Sequence, residues 1–308
     1  MTQRILLQQG FRTGAIDKHE YSREMAKLHE ALLEYVALLS TSDMAAIEIT
    51  AEGIFIRSGL APIAFPFDPT DRGSPCSVAL NFGQYERAEF DMWKRLVPVG
   101  ATIADVGANI GWYSAHMAAT DPTSKIVAFE PVPDSFDALS KTLLHNQLCN
   151  VVAERLAVSN RPGSLTIYVD PTIAGAASAH PSVYQDTSDP ILAPMVTLDD
   201  YSAPHGLRFD AIKLDVEGGE LAVLQGAQRT LAEARPVVFV EMLRRHTREF
   251  GYHPNDIIAL MTDNDYRCFY ARDEKLVPFD RMEESTVETN FFFLHRVAHM
   301  NTINALSA

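Results

Sequence analysis

The chain has 308 residues, 47% of them apolar and 21% charged, which suits one large globular domain with an extension; no apolar run approaches the length of a bilayer span. With 40 acids against 26 Lys and Arg, the formal charge of -14 opposes phosphate backbones and anionic membrane surfaces, so nucleic acid is set aside as a substrate. Cys76, Cys149 and Cys268 are isolated, without C-x-x-C spacing, so neither a disulfide framework nor a zinc site is indicated; with too short an apolar run in MTQRILLQQG for a signal peptide, a cytoplasmic location and no membrane insertion are expected.

In chain order, residues 1–16 carry a weak pattern and are expected to be mobile. From Lys18 to about Ser40, Tyr21, Met25, Leu28, Leu32, Tyr35 and Leu39 recur at steps of four and three, which predicts a helix laid on the domain's own core. The repeat is close to a heptad, so a homodimer through this N-terminal helix is the alternative. Ile47-Glu48-Ile49 and Ile54-Phe55-Ile56 alternate around Glu52-Gly53 as a hairpin would. Prolines 62, 66, 69 and 75 make residues 61–76 a loop and a border, dividing an extension (1–80) from the main domain (81–308). A helix from Tyr85 to about Leu96 follows, with Glu86 read as a solvated position and a supporting contact near the cofactor strand as the alternative.

Residues 101–130, ATIADVGANIGWYSAHMAATDPTSKIVAFE, organise the rest: a buried strand (Thr102 to Val106), a glycine turn, a helix, and a second strand (Lys125 to Phe129) delivering Glu130. Gly107 and Gly111 allow a sharp turn against a ligand, and the helix after it offers free N–H groups and a positive dipole end. A carboxylate beyond the neighbouring strand can accept both hydroxyls of a ribose. A dinucleotide fingerprint needs glycine where Asn109 stands and a small residue where Trp112 stands, so pyrophosphate is disfavoured. Asp105 ahead of the turn suits an ammonium better than a phosphate. These features together suit S-adenosylmethionine, with its amino group near Asp105, its carboxylate toward the Gly107-Ala108-Asn109 turn and its ribose on Glu130.

Beyond Glu130, Pro131 and Pro133 end the strand and start a helix striped by Phe136, Leu139 and Leu143, and strands are predicted at Asn150 to Glu154 and Leu165 to Val169. Residues 170–194, with His180 and Tyr184, lack any period; they are read as the wall or cover of the substrate pocket or, on equal terms, as a disordered insertion. Strands resume at Phe209 to Asp215 and Pro236 to Val240. A helix near Asn255 to Thr262 is followed by strands Tyr266 to Tyr270 and Asn290 to Leu294, expected to pair antiparallel at the end of a mostly parallel sheet.

D-V-G-A-N-I-G-W-Y-S (105–114), F-E-P-V-P (129–133), V-T-L-D-D-Y (196–201), I-K-L-D-V-E-G-G-E (212–220) and T-N-F-F-F-L (289–294) together resemble the FkbM family of S-adenosylmethionine-dependent methyltransferases over roughly residues 80–295. The resemblance implies a doubly wound, Rossmann-like α/β fold of class I methyltransferase type. It also implies methyl transfer to a hydroxyl of a sugar, glycan precursor, lipid or polyketide-type metabolite, with S-adenosylhomocysteine as product. In that fold the adenine sits near Ala157, and Pro131 and Trp112 flank the cofactor.

Ligands of open α/β sheets bind outside the carboxyl ends of the strands. Four strands here end in acids: Asp105, Glu130, Asp215 with Glu217, and Glu241. A hydroxyl attacking a sulfonium methyl must lose its proton, so a general base is expected. Glu217 is the first choice, Asp215 the second, and Lys213 either neutralises them or takes part. His116, placed toward the pocket mouth, and His180 are secondary bases, while Glu241 and Tyr184 stand on the acceptor side. No metal is expected, although Asp215, Glu217 and Glu241 offer the hard oxygens that Mg²⁺ takes. A nicotinamide-dependent oxidoreductase and a catalytically silent nucleoside-binding module are the rival readings.

Overall fold

The computed structural model describes residues 2–169, 177–179 and 190–307. The chain opens with two helices, α1 (Gln3–Arg12) and α2 (Lys18–Ser40), joined where Asp17 caps α2 by accepting the Glu20 N–H at 2.8 Å. The weakly patterned start contains a regular helix, α1, with Phe11 stacked on Tyr21. Only the last turns of α2 reach the core, through Tyr35, Leu38 and Leu39, while Leu32, Leu33 and Val36 stay exposed.

A small antiparallel sheet follows, β1 (Met44–Ile49), β2 (Ile54–Ser58) and β3 (Ala64–Pro66), confirming the hairpin and adding a strand within the expected loop. That loop also ends in a helix, α3 (Pro75–Phe82), which Ser74 caps through the Ser77 N–H. Then come α4 (Arg87–Leu96), β4 (Thr102–Val106), α5 (Trp112–Thr120), β5 (Lys125–Phe129), α6 (Pro133–His145), β6 (Val151–Glu154), β7 (Ala157–Val158), β8 (Gly163–Val169), β9 (Ala177–Ser178) and β10 (Ile191–Val196). The remainder is α7 (Leu198–His205), β11 (Ala211–Leu214), α8 (Glu220–Gln225), α9 (Gln228–Glu233), β12 (Val237–Glu241), α10 (Arg244–Glu249), α11 (Pro254–Asp263), β13 (Tyr266–Arg272), β14 (Lys275–Pro278), β15 (Asn290–His295) and α12 (Met300–Leu306).

The main sheet has the order β14-β13-β15-β12-β11-β4-β5-β6; β6 through β12 run parallel, and β15 enters antiparallel between β12 and β13. The antiparallel pairing of the late strands is as expected; β14 closes a hairpin on β13 in the charged link. Strand alternation divides the core in two. Ile103, Ala211, Val237, Phe239 and Phe292 face the layer of α4 and α5, whereas Ala104, Ile212, Leu214, Val238 and Val240 face the layer of α8 and α11. Asp105, Lys213 and Glu241 fall on the first of these faces by the same period. Lys213 is the cross-strand partner of Asp105, so a polar layer continues an apolar one toward the carboxyl ends.

A second sheet has the order β7-β10-β8-β9. Part of the stretch predicted to lack structure is therefore strand. Pro194 sits inside β10, opposite Ser164, where proline argues against a strand in sequence. His180 and Tyr184 lie outside the described residues.

Candidate active site

The turn after β4 is made by backbone. Gly107 has φ +80, and a Cβ there would meet the Asp215 carbonyl oxygen at 1.7 Å, so only glycine lets the ends of β4 and β11 touch. The N–H groups of Gly107 and Ala108 both donate to the Phe129 carbonyl at 3.0 Å, which ties the turn to β5. Asn109, at φ 51, occupies the left-handed region that asparagine tolerates, and its N–H donates to Glu130 Oε2 at 2.8 Å. Glu130 Oε1 accepts the Val132 N–H at 2.9 Å. Burial raises the Glu130 carboxyl to about 7 against these two bonds, which favour its ionised form. Each oxygen keeps acceptor capacity for a hydroxyl.

These groups line one crevice at the carboxyl ends of the strands. Gly107, Asn109, Glu130 and Pro131 form one side, Ala157, Leu165 and Ile167 an apolar wall, and Asp215, Val216 and Glu217 the far side. Of the residues expected at the site, Gly107, Asn109, Glu130, Pro131, Ala157, Asp215 and Glu217 line this one crevice. Other expected cofactor contacts turn elsewhere. Asp105 does not line the crevice: its Oδ2 accepts the Ser114 N–H and Oγ–H at 3.1 and 2.6 Å, and the residue is 2% exposed. Ala108 is buried against Leu139, and Gly111 packs on the same side chain. Trp112 lies between Phe65 and Tyr85, with ring centroids 5.2 and 5.6 Å away.

His116 needs the plainest correction. Helix α5 is buried from Trp112 through Ala118, so no side of it faces the pocket mouth. The imidazole meets the Trp112 carbonyl at 2.7 Å and Ser58 Oγ at 2.8 Å, and burial lowers its pKa to about 4. It joins the small sheet to α5 and is not among the residues lining the crevice.

On the far side, β11 delivers Lys213 and Asp215. Lys213 Nζ lies 3.3 Å from Asp215 and 3.9 Å from Asp105, over the Tyr113 ring. Burial works to lower its pKa, but Asp215, Asp105 and Glu86 outweigh burial and raise it, so the ammonium stays charged. Glu217 follows in the left-handed region at φ 53, an unfavourable conformation for its residue type. The turn is held by Glu220, whose Oε1 accepts the N–H groups of Val216 and Gly218 at 3.1 and 3.0 Å. A Cβ on Gly218 would meet the Phe250 ring at 2.6 Å, so α10 packs directly on this turn. That contact brings His246 Nδ1 to 2.7 Å from Glu217 Oε2.

Glu86, expected to be solvated, is also corrected. Its backbone is left-handed at φ 43, and its carboxylate accepts from Tyr113 Oη at 2.8 Å and Asn290 Nδ2 at 2.9 Å. Asn290 is the cross-strand partner of Glu241, so Glu86, Glu217, Glu241 and His246 converge from four segments. His246 had no motif to reveal it. The signal available was its place just past the carboxyl end of β12, where ligands of such sheets gather.

A family model described as the Methyltransferase FkbM domain matches residues 105–268. The chain belongs to the FkbM methyltransferase family. Methyltransferase sdnD of Sordaria araneosa is 32% identical over 174 residues, covering 47% of this chain and 67% of that protein. The 31-O-demethyl-FK506 methyltransferase FkbM of Streptomyces tacrolimicus is 28% identical over 157 residues, 42% of this chain and 60% of its own length. Hexuronic acid methyltransferase AglP of Haloferax volcanii is 28% identical over 160 residues, 52% of this chain and 60% of its own length. The match to FkbM and AglP thus spans less than two thirds of each, and the FkbM domain of this chain contains both sides of the crevice.

Proposed function

We propose that this FkbM-family chain is an S-adenosylmethionine-dependent O-methyltransferase acting on a hydroxyl of a sugar, glycan precursor, lipid or polyketide-type metabolite. The observation that carries the reading is the placement of Glu130 and Glu217 on opposite sides of one crevice, joined by the glycine contact between β4 and β11. Glu130 would hold the ribose, the Gly107–Asn109 turn the amino-acid end, and the wall of Ala157, Leu165 and Ile167 the adenine. When bound, the cofactor supplies an electrophilic methyl on sulfur. The chain's part is to align the acceptor oxygen with that methyl and to remove its proton. Glu217 is the group in position to take the proton, with His246 fixing its orientation from 2.7 Å. Asp215, tied to Lys213, is the nearer to structural duty.

The names of two relatives, a 31-O-demethyl-FK506 methyltransferase and a hexuronic acid methyltransferase, support a hydroxylated small molecule or glycan as acceptor. The test pairs calorimetry with S-adenosylhomocysteine and NADH with labelled methyl transfer to a panel of hexuronic acids and macrolide alcohols. Binding of S-adenosylhomocysteine and label in one acceptor class are expected. Binding of NADH alone would overturn the reading.

A further inference from the structure

We propose that Glu217, Glu241 and His246 form a site for a first-row divalent cation, of the Mn²⁺ or Zn²⁺ class, at the acceptor end of the crevice. Each offers one ligand atom, two carboxylate oxygens and one imidazole nitrogen, and the three atoms lie within 4.8 Å of one another. Bonds of about 2.0–2.2 Å would draw them closer, a shift within the reach of two glutamate side chains.

Two further observations support an ion there. The first is charge: Glu86, Asp215, Glu217 and Glu241 face one another, and Lys213, the ammonium beside them, is committed to Asp215 and Asp105. The Glu241 carboxylate makes no hydrogen bond or ion pair with any described residue, although Asp215, Glu217, Glu86 and Glu220 all act on it as like charges. A half-buried acid so placed calls for a cation or a proton. The second is the donor set. His246 is 8% exposed and its Nδ1 points at the carboxylates, and an imidazole with two carboxylates favours Mn²⁺ or Zn²⁺ over Mg²⁺ or Ca²⁺, which take oxygen alone. In the described arrangement, exposed Arg245 donates from Nε to His246 Nε2 at 2.9 Å. Ligation through Nδ1 needs Nε2 to carry the hydrogen, so Arg245 would swing outward.

The role that follows, orienting and acidifying an acceptor hydroxyl, rests on the methyl-transfer reading; the binding itself does not. Under that role Glu217 would act as a ligand, and the acidified hydroxyl would pass its proton to solvent water at the mouth of the crevice. The test is Mn²⁺ titration of the chelator-treated, full-length protein followed by electron paramagnetic resonance, with Zn²⁺ and Mg²⁺ as competitors. One Mn²⁺ per chain is expected, displaced by Zn²⁺ at lower concentration than by Mg²⁺, and weakened at least tenfold in Glu241→Gln and in His246→Gln. S-adenosylhomocysteine binding by those variants serves as the folding control. No stoichiometric Mn²⁺ or Zn²⁺ in wild type, or equal affinity in folded variants, would overturn the site. Retained S-adenosylhomocysteine binding would then leave the methyl-transfer reading standing, and its loss with Mn²⁺ retained would do the reverse.

Discussion

The two halves of the crevice are built by opposite means. On the β4–β5 side the chain offers backbone: a glycine turn, N–H groups tied to Phe129, one buried carboxylate, and an apolar wall. On the β11–β12 side it offers charge: Asp215, Glu217 and Glu241, with Glu86 reaching in from α4 and His246 from α10. A half made of backbone conformation is encoded locally, in consecutive residues. A half made of convergent side chains is encoded by topology, and single residues scattered between positions 86 and 246 carry it. Gly107 belongs to both, since its missing side chain lets the two halves touch.

The comparison breaks most severely at that glycine. Gly107→Ala would drive a Cβ to 1.7 Å from the Asp215 carbonyl, which must displace β4 from β11. A stability loss of more than about 3 kcal/mol in urea unfolding is expected, with S-adenosylhomocysteine binding abolished. A variant as stable as wild type would show that the halves are not joined there. Next in size is Glu217→Gln, expected to lower kcat by about 10²- to 10⁴-fold while S-adenosylhomocysteine affinity stays within about threefold. Equal losses in binding and turnover would assign the residue to the cofactor half instead.

The β4–β5 half should respond to pH. Ribose hydroxyls donate to an ionised carboxylate, so S-adenosylhomocysteine affinity is expected to fall as pH drops through about 7, where buried Glu130 takes up its proton. Glu130→Gln should bind more weakly and with a flat profile over the same range; a wild-type profile without this limb would remove Glu130 from the ribose. The linked stability has the opposite sign. Folding raises this group from 4.5 to about 7, so its stabilising contribution is full below the lower value and is lost as pH rises through the upper. The smallest effect is expected from Tyr113→Phe, which removes the 2.8 Å bond to Glu86 and should cost about 1–2 kcal/mol in urea unfolding. No change would show that Asn290 alone holds Glu86.

The same division explains what the sequence disclosed. Thr102–Val106 and Lys125–Phe129 are short, buried on both faces and bracketed by glycine and proline, so their strands and the positions of Gly107 and Glu130 were legible from local pattern. Helix α1 was not, because none of its residues is fully buried and it leaves no clear apolar stripe. Helix α3 and strand β10 were hidden by Pro75 and Pro194, which read as breaks; the first stands in the opening turn of its helix, the second in the ladder opposite Ser164. His116 was placed at the mouth because nothing in WYSAHMAAT distinguishes a helix buried all round from one with an open side. His246 went unread, and Glu86 was read first as solvated, for a different reason. Their contacts span 29 residues to Glu217 and 204 to Asn290, and no local pattern encodes such pairings.

The most direct measurement is a crystal structure of the protein with S-adenosylhomocysteine bound. The ribose hydroxyls are expected on Glu130, the adenine between Ala157 and Ile167, and the sulfur directed toward Glu217. A ligand lodged outside the crevice between β4 and β11, or one whose sulfur faces away from the carboxylates, would contradict the account.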